Sequence, residues 1–145
     1  MKYKNPSLSV QERVNDLLPR MTLEEKIAQC IQIYIPPDHP GEIVDRIRAV
    51  GLGSRILGAV SLAGNVSQRT AGIEDLNEIQ RIAMNEFRLG IPVIHGLDVI
   101  HGLRVIFPIP LGLAATFDPD AIQKTYNIAA EECSRLGVHW SFAPM

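Results

Sequence analysis

Cysteines, aromatic residues and long apolar runs are all scarce in this chain. The two cysteines, Cys30 and Cys133, lack the spacing of a metal motif and fall on apolar faces of predicted helices, so we expect both to be reduced and buried. No apolar run approaches the length of a membrane helix, and the N-terminal residues lack the apolar segment of a secretory signal. We therefore expect a cytoplasmic chain without membrane contacts.

Concentrated charge is missing as well. The net charge is −2, and no basic patch is interleaved with aromatic residues, which argues against nucleic acid as a partner. No G-x-G-x-x-G or Walker pattern follows a predicted strand, so the backbone cradle for a nucleotide phosphate is lacking. The sequence predicts no cofactor.

The composition is that of a globular domain. A chain of 145 residues with 46% apolar and 21% charged residues fits one folded domain, residues 1–145, with no second domain. Apolar periodicity and capping residues predict helices at residues 9–18, 22–31, 43–50, 73–87 and 119–136. Short apolar runs predict strands at residues 57–63, 91–95, 111–115 and 138–143.

Strands and helices that alternate with short connections predict a parallel sheet with right-handed crossovers. A closed (β/α)8 barrel takes about 250 residues, and four predicted strands are too few to close one. Two α/β folds fit, a doubly wound open sheet and the first half of a (β/α)8 TIM-like barrel. The missing phosphate motifs argue against the first.

The pattern most indicative of a site surrounds Asp98, which follows a buried strand and lies between glycines and histidines. The carboxyl ends of parallel strands are where α/β folds build their sites. From these residues alone, a loop acid that caps a turn fits Asp98 about equally well. His95, Asp98 and His101 suggest a metal site, but their spacing does not place them on one face, so we expect no metal. We expect His101 to orient the loop through side-chain hydrogen bonds.

Other polar and aromatic candidates have structural explanations that are as good as functional ones. Asn65 fits a Gly-Asn turn as well as a substrate contact, and Asp118 fits a helix N-cap. Trp140 suggests a sugar-stacking platform but is expected in the core of a buried strand. Glu131 and Glu132 are expected on a solvated helix face rather than as a catalytic pair.

Several linked motifs resemble the N-terminal domain of glycoside hydrolase family 3, especially its β-glucosidase and β-xylosidase branch. The central motif is Gly-x-Asp-x-x-His-Gly, which contains Asp98. The matching segments are residues 21–29, 88–102, 106–119, 129–131 and 137–145.

The resemblance implies a (β/α)8-like barrel whose members remove terminal non-reducing sugars from β-linked glycosides with retention of configuration. It implies that Asp98 is a substrate-binding residue, which contacts hydroxyls of the terminal sugar of a β-linked glucoside or oligosaccharide. It assigns no catalytic residue to this chain. The family's Arg-rich segment, Lys-His pair, Asp nucleophile and acid/base have no matching residues in this sequence.

Two functional hypotheses follow from the resemblance. In the first, the chain is the N-terminal part of a retaining, exo-acting β-glucosidase-like enzyme and is inactive alone. In the second, it is a non-catalytic sugar-binding remnant or half-barrel that must oligomerise or pair with a partner. Four open parallel strands expose two unpaired edges and an apolar face, so we expect the isolated chain to self-associate.

Overall fold

The computed structural model describes residues 1–34, 40–57 and 73–143. The helices in this part of the chain are α1 (Val10–Leu17), α2 (Leu23–Gln29), α3 (Pro40–Val50), α4 (Ile73–Asn85), α5 (Pro110–Ala114) and α6 (Pro119–Arg135). The strands are β1 (Gln32–Tyr34), β2 (Ser54–Ile56), β3 (Ile94–Leu97) and β4 (Trp140–Ser141). Short 3₁₀ turns lie at Lys2–Lys4 and Leu18–Arg20.

The four strands form one parallel sheet in the order β1-β2-β3-β4. Each strand therefore pairs with the next strand along the chain, with at least one helix between them. A doubly wound sheet reverses its strand order at a switch point, whereas a (β/α)8 barrel keeps the chain order. The observed order is that of a barrel.

Local capping signals locate the helices well. The side chains of Ser9 and Glu12, and of Thr22 and Glu25, form the reciprocal hydrogen bonds of two capping boxes. Asp118 Oδ1 accepts the backbone N–H of Ala121 at 3.0 Å, which confirms Asp118 as the N-cap of α6. The predicted helices agree with α1, α2, α3, α4 and α6 to within a few residues at each end.

The strand predictions are less accurate than the helix predictions. Residues 111–115 form α5 and not a strand, because Pro110 occupies its first turn and Leu113 N–H donates to Ile109 O at 3.0 Å. β1 and β2 fall where no strand was predicted. Of the predicted strand at 57–63, Leu57 follows β2 and is buried, and the remainder lies outside the described residues.

Strand β3 begins later than the apolar run that predicts it, because a side chain makes the hydrogen bonds of the backbone just before it. Gln80 Nε2 donates to Val93 O at 2.6 Å, and Val93 N–H donates to Gln80 Oε1 at 3.0 Å. Gln80 of α4 thus makes the hydrogen bonds with Val93 that a neighbouring strand would otherwise make. Tyr3 adds a second anchor, since its hydroxyl donates to Leu89 O at 2.6 Å.

Two apolar clusters fill the space between the sheet and the helices. The N-terminal core cluster is built from Met21, Ile43, Ile47, Leu52, Ile79, Ile82, Ala83, Phe87, Leu89 and Val93. The C-terminal core cluster is built from Leu57, Leu76, Val99, Leu103, Ala129, Cys133 and Val138. The second cluster joins the segment after β3 to α6.

The opposite face of the sheet, the open face, is only partly covered in the described part of the chain. Ile94, Gly96 and Trp140 share this face, because Gly96 pairs with Trp140 and side chains alternate along a strand. Ile94 and Trp140 are each 48% exposed. The expectation that Trp140 lies in the core is therefore wrong, because the described helices cover only the other face.

Polar side chains are buried on the helix-covered face. Arg55 and His95 are neighbours across β2 and β3 and are 6% and 1% exposed. The His95 ring stacks on that of His139 at a centroid distance of 5.4 Å, and the backbone N–H of His95 donates to His139 Nδ1 at 3.1 Å. Burial, with the neighbouring His139 and Arg55, lowers the pKa of His95 to about 4.

We predict that replacing Gly53 with Ala makes the chain less stable against unfolding. A Cβ at Gly53 would lie 2.0 Å from the backbone oxygen of Gln29, where the residue before β2 meets the C-terminal end of α2. A clash with backbone cannot be relieved by a rotamer change, so we expect a loss of about 3 kcal/mol in the free energy of unfolding. Urea unfolding followed by circular dichroism measures it. Gly41→Ala in α3 is the control, since its Cβ meets nothing within 4 Å, and equal midpoints for the two variants would contradict the prediction.

We also predict that acid destabilises the fold through His95. The unfolded imidazole takes up a proton near pH 6.5, whereas the folded one does so only near pH 4. The unfolded state therefore binds more protons between these values, and stability is lost as the pH falls from 6.5 to 4, by about 3 kcal/mol at most. Urea midpoints across this range should fall less steeply for His95→Gln than for the parent. His139→Gln should keep most of the slope, because burial is the main cause of the shift.

Candidate functional site

Asp98 is the first residue after β3, at the carboxyl end of the sheet. Alternation continued past Leu97 places it on the open face with Ile94 and Gly96. The residue is half-buried, and its Oδ1 is buried without a hydrogen-bond partner in the described part of the chain. Buried carboxylate oxygens normally accept hydrogen bonds, so this atom is suited to receive a donor from a ligand.

Gly96, two residues before Asp98 on the same face of the sheet, has no room for a side chain. A Cβ on Gly96 would lie 2.6 Å from the Phe142 ring and 3.3 Å from Gln32 Nε2. Phe142 in turn stacks edge-on against Trp140 at 5.2 Å. Glycine at this position thus allows the Phe142 ring to lie against the backbone of β3.

The loop after Asp98 folds back on itself. Phe107 N–H donates to His101 O at 2.7 Å, and Gly102 forms an antiparallel bridge with Ile106. Gly102 has a φ of +111°, and a Cβ there would lie 2.0 Å from Val105 O. A side chain is therefore excluded from the tip, which explains the glycine of the Gly-x-Asp-x-x-His-Gly motif.

Helix α6 holds this loop. Glu132 Oε2 accepts the backbone N–H groups of Arg104 and Val105 at 2.8 and 3.2 Å. The Tyr126 hydroxyl donates to Ile100 O at 3.0 Å. Glu132 thus does more than face solvent on its helix, because the loop returns to α6 at this side chain. Its neighbour Glu131 does face solvent and pairs with exposed Arg135.

The histidines of the motif have separate environments. His95 is buried on the helix-covered face, against His139, and does not join Asp98. His101 is half-buried, and its Nδ1 is buried without a partner in the described residues, so this atom does not orient the loop as predicted. Residues 1–34, 40–57 and 73–143 contain no group of three or more His, Cys, Asp or Glu side chains placed to hold a metal.

The other sequence candidates lie away from Asp98 or outside the described residues. Asn65 belongs to the segment that the structure leaves undescribed. Cys133 is buried in the C-terminal core cluster, where burial raises the pKa of its thiol. Cys30 is exposed, contrary to expectation, because α2 ends at Gln29 and leaves it at the C-cap. No helix in the described part of the chain has the length and apolar character needed to cross a membrane.

An apolar cavity of about 350 Å³ lies between α6 and the β4 segment. It is lined by Val99, Tyr126, Ala129, Cys133 and Val138, among others, and Asp98 is not part of its lining. Because Val99 and Ala129 belong to the C-terminal core cluster, the cavity opens on the helix side of the sheet. The candidate site at Asp98 is on the opposite face.

Comparison with known proteins agrees with the motif resemblance. The chain is 35% identical over 132 residues to a periplasmic β-glucosidase of Salmonella typhimurium, with 91% of this chain and 16% of that protein covered. It is 33% identical over 159 residues to β-glucosidase C of Emericella nidulans, with 98% and 25% covered. The crystal structure of a β-glucosidase from Listeria innocua matches with a TM-score of 0.74 at 31% identity, covering 94% of this chain and 19% of that one.

The chain spans 16–25% of the length of the curated relatives it matches. A family model described as the glycosyl hydrolase family 3 N terminal domain matches residues 22–145. The sequential parallel strands correspond to the first part of the (β/α)8 barrel of that domain. This chain therefore belongs to glycosyl hydrolase family 3, within the family's N-terminal domain.

Proposed function

We propose that this chain is the N-terminal part of a retaining, exo-acting β-glucosidase-like enzyme, in which Asp98 binds the terminal non-reducing sugar. The observation that carries the proposal is Oδ1 of Asp98 at the carboxyl end of β3, which is buried and has no hydrogen-bond partner among the described residues. The names of several relatives support the reaction class, and the Listeria innocua enzyme has also been solved in complex with glucose.

The chemistry of a sugar suits a carboxylate in this position. An ionised carboxylate accepts hydrogen bonds from two vicinal hydroxyls and so fixes the ring relative to the reacting groups. A ligand without those hydroxyls would leave the acid desolvated and unpaired, which disfavours its binding. Asp98 would thus supply orientation and specificity rather than bond cleavage.

Bond cleavage needs two further carboxyl groups. A retaining glycosidase holds a nucleophile and an acid/base about 5–5.5 Å apart across the scissile bond. The resemblance to the family assigns neither role to a residue of this chain. We therefore expect the chain alone to be inactive and to act only within a completed barrel.

We predict that Asp98 is required for hydrolysis in a completed barrel. The test protein carries this chain in place of the matching segment of the Listeria innocua β-glucosidase, and kcat/KM is measured on a chromogenic β-glucoside. Asp98→Asn should lower kcat/KM by about 100-fold or more, because hydrogen bonds to a charged group contribute about 1.5–3 kcal/mol each. The chain alone should show no turnover.

Asp118→Asn is the control for this experiment. It makes the same chemical change, but the amide oxygen still caps α6, so kcat/KM should stay within about twofold of the parent hybrid. An Asp98→Asn hybrid as active as its parent, or a folded but inactive parent hybrid, would contradict the proposed function. Turnover by the chain alone would contradict its dependence on further carboxyl groups.

We also propose that the isolated chain self-associates through the open sheet face. Ile94 and Trp140 on this face are each about half exposed, and apolar surface of this kind favours association. Sedimentation equilibrium should show a mean mass that rises with concentration. Trp140→Ser should reduce the rise, whereas Leu23→Ser, which removes a 68% exposed residue of α2, should not. A monomer at all concentrations would contradict the proposal.

A further inference from the structure

We infer that Glu132 and Tyr126 of α6 are positioning residues for Asp98, which they hold in place through the backbone of the loop at residues 99–105. The inference rests on the proposed sugar-binding role of Asp98. It adds two residues that neither the motif nor the resemblance assigns to the site.

Glu132 fixes the far end of the loop. One of its oxygens, Oε2, accepts two consecutive backbone N–H groups, those of Arg104 and Val105. Hydrogen bonds to an ionised acceptor are stronger than neutral ones, and two donors on one oxygen restrict the loop in more than one direction. The side chains of Arg104 and Val105 are exposed, so these backbone contacts fix the segment.

Tyr126 fixes the near end of the loop. Its hydroxyl donates to the carbonyl of Ile100, two residues after Asp98. Beside these polar contacts, Val99 and Leu103 pack with Ala129 and Cys133 in the C-terminal core cluster. Residues 126, 129, 132 and 133 lie on one face of a helix, so a single face of α6 holds the whole segment.

The loop matters to Asp98 because Oδ1 of its carboxylate has no hydrogen bond of its own in the described residues. A side chain without such a bond takes its position from its backbone. The backbone of Asp98 lies between β3 and Val99, so α6 sets one of its two attachments. Small displacements of a substrate-binding group weaken hydrogen bonds that depend on geometry.

The test is a double-mutant cycle on the full chain, carried in the same Listeria innocua hybrid. The variants are Glu132→Ala, Asp98→Ala and the double variant, and the readout is kcat/KM on the chromogenic β-glucoside. Glu132→Ala alone should lower kcat/KM by about 10–100-fold, the range found for residues that orient the side chains ligating a metal. In the Asp98→Ala background the same change should cost less than about twofold, because no carboxylate remains to be positioned.

Two further variants separate positioning from general stability. Glu131→Ala removes the adjacent carboxylate, which pairs only with exposed Arg135 among its described contacts, and should leave kcat/KM unchanged. Glu132→Gln keeps an acceptor oxygen and should recover part of the activity that Glu132→Ala loses. If Glu132→Ala does not fold, Tyr126→Phe provides the cycle, because it removes only one hydroxyl and should show a smaller loss that also disappears with Asp98→Ala.

The outcomes distinguish this inference from the proposed function. Equal losses from Glu132→Ala with and without Asp98 would overturn the positioning role, while a large loss from Asp98→Ala would still support sugar binding. An Asp98→Ala hybrid with full activity would overturn both. Amide hydrogen exchange at Arg104 and Val105 should become faster in Glu132→Ala and remain unchanged in Glu131→Ala, and no change in either variant would also overturn the inference.

Discussion

The placement of β3 is the constraint on which the rest of the structure depends. The strand pairs in parallel with β2 on one side and β4 on the other, and helices hold the backbone beyond both of its ends. Before it, the Gln80 side chain bonds both backbone groups of Val93. After it, Glu132 bonds two amides of the returning loop. The backbone that carries the Asp98 carboxylate at the end of this strand is therefore held in place before a ligand binds.

The two faces of β3 have opposite chemical requirements. His95 points into the helix layer, where burial keeps its imidazole neutral at ordinary pH and where Arg55 lies beside it. Asp98 belongs to the open face, and its buried Oδ1 has no partner in the part of the chain that the structure describes. A buried polar atom without a partner costs free energy, so the open face gives up some stability at Asp98. On the open face that cost leaves an acceptor that a sugar hydroxyl would satisfy.

The sequence predicts those parts of the fold that depend on neighbouring residues. Capping boxes and the Asp118 cap locate helices, because donor and acceptor are three residues apart. Strands of two to four residues carry too little pattern for the same purpose, and the apolar run at 111–115 satisfies a helix equally well once Pro110 starts it. Asp98 was found through its motif. Glu132 was not, because its partners are backbone amides 27 and 28 residues away.

Backbone acceptors explain why the residues that hold the Asp98 loop leave so weak a sequence signal. Glu132 and Tyr126 recognise amide and carbonyl groups, which every non-proline residue offers, so no particular residue type is required at positions 100, 104 and 105. Gly102 is the exception, because its φ is positive and a Cβ there would lie only 2.0 Å from Val105 O, which excludes a side chain. Glycine and Asp98 therefore carry the recognisable motif. The helix that holds them in place is visible only in the fold.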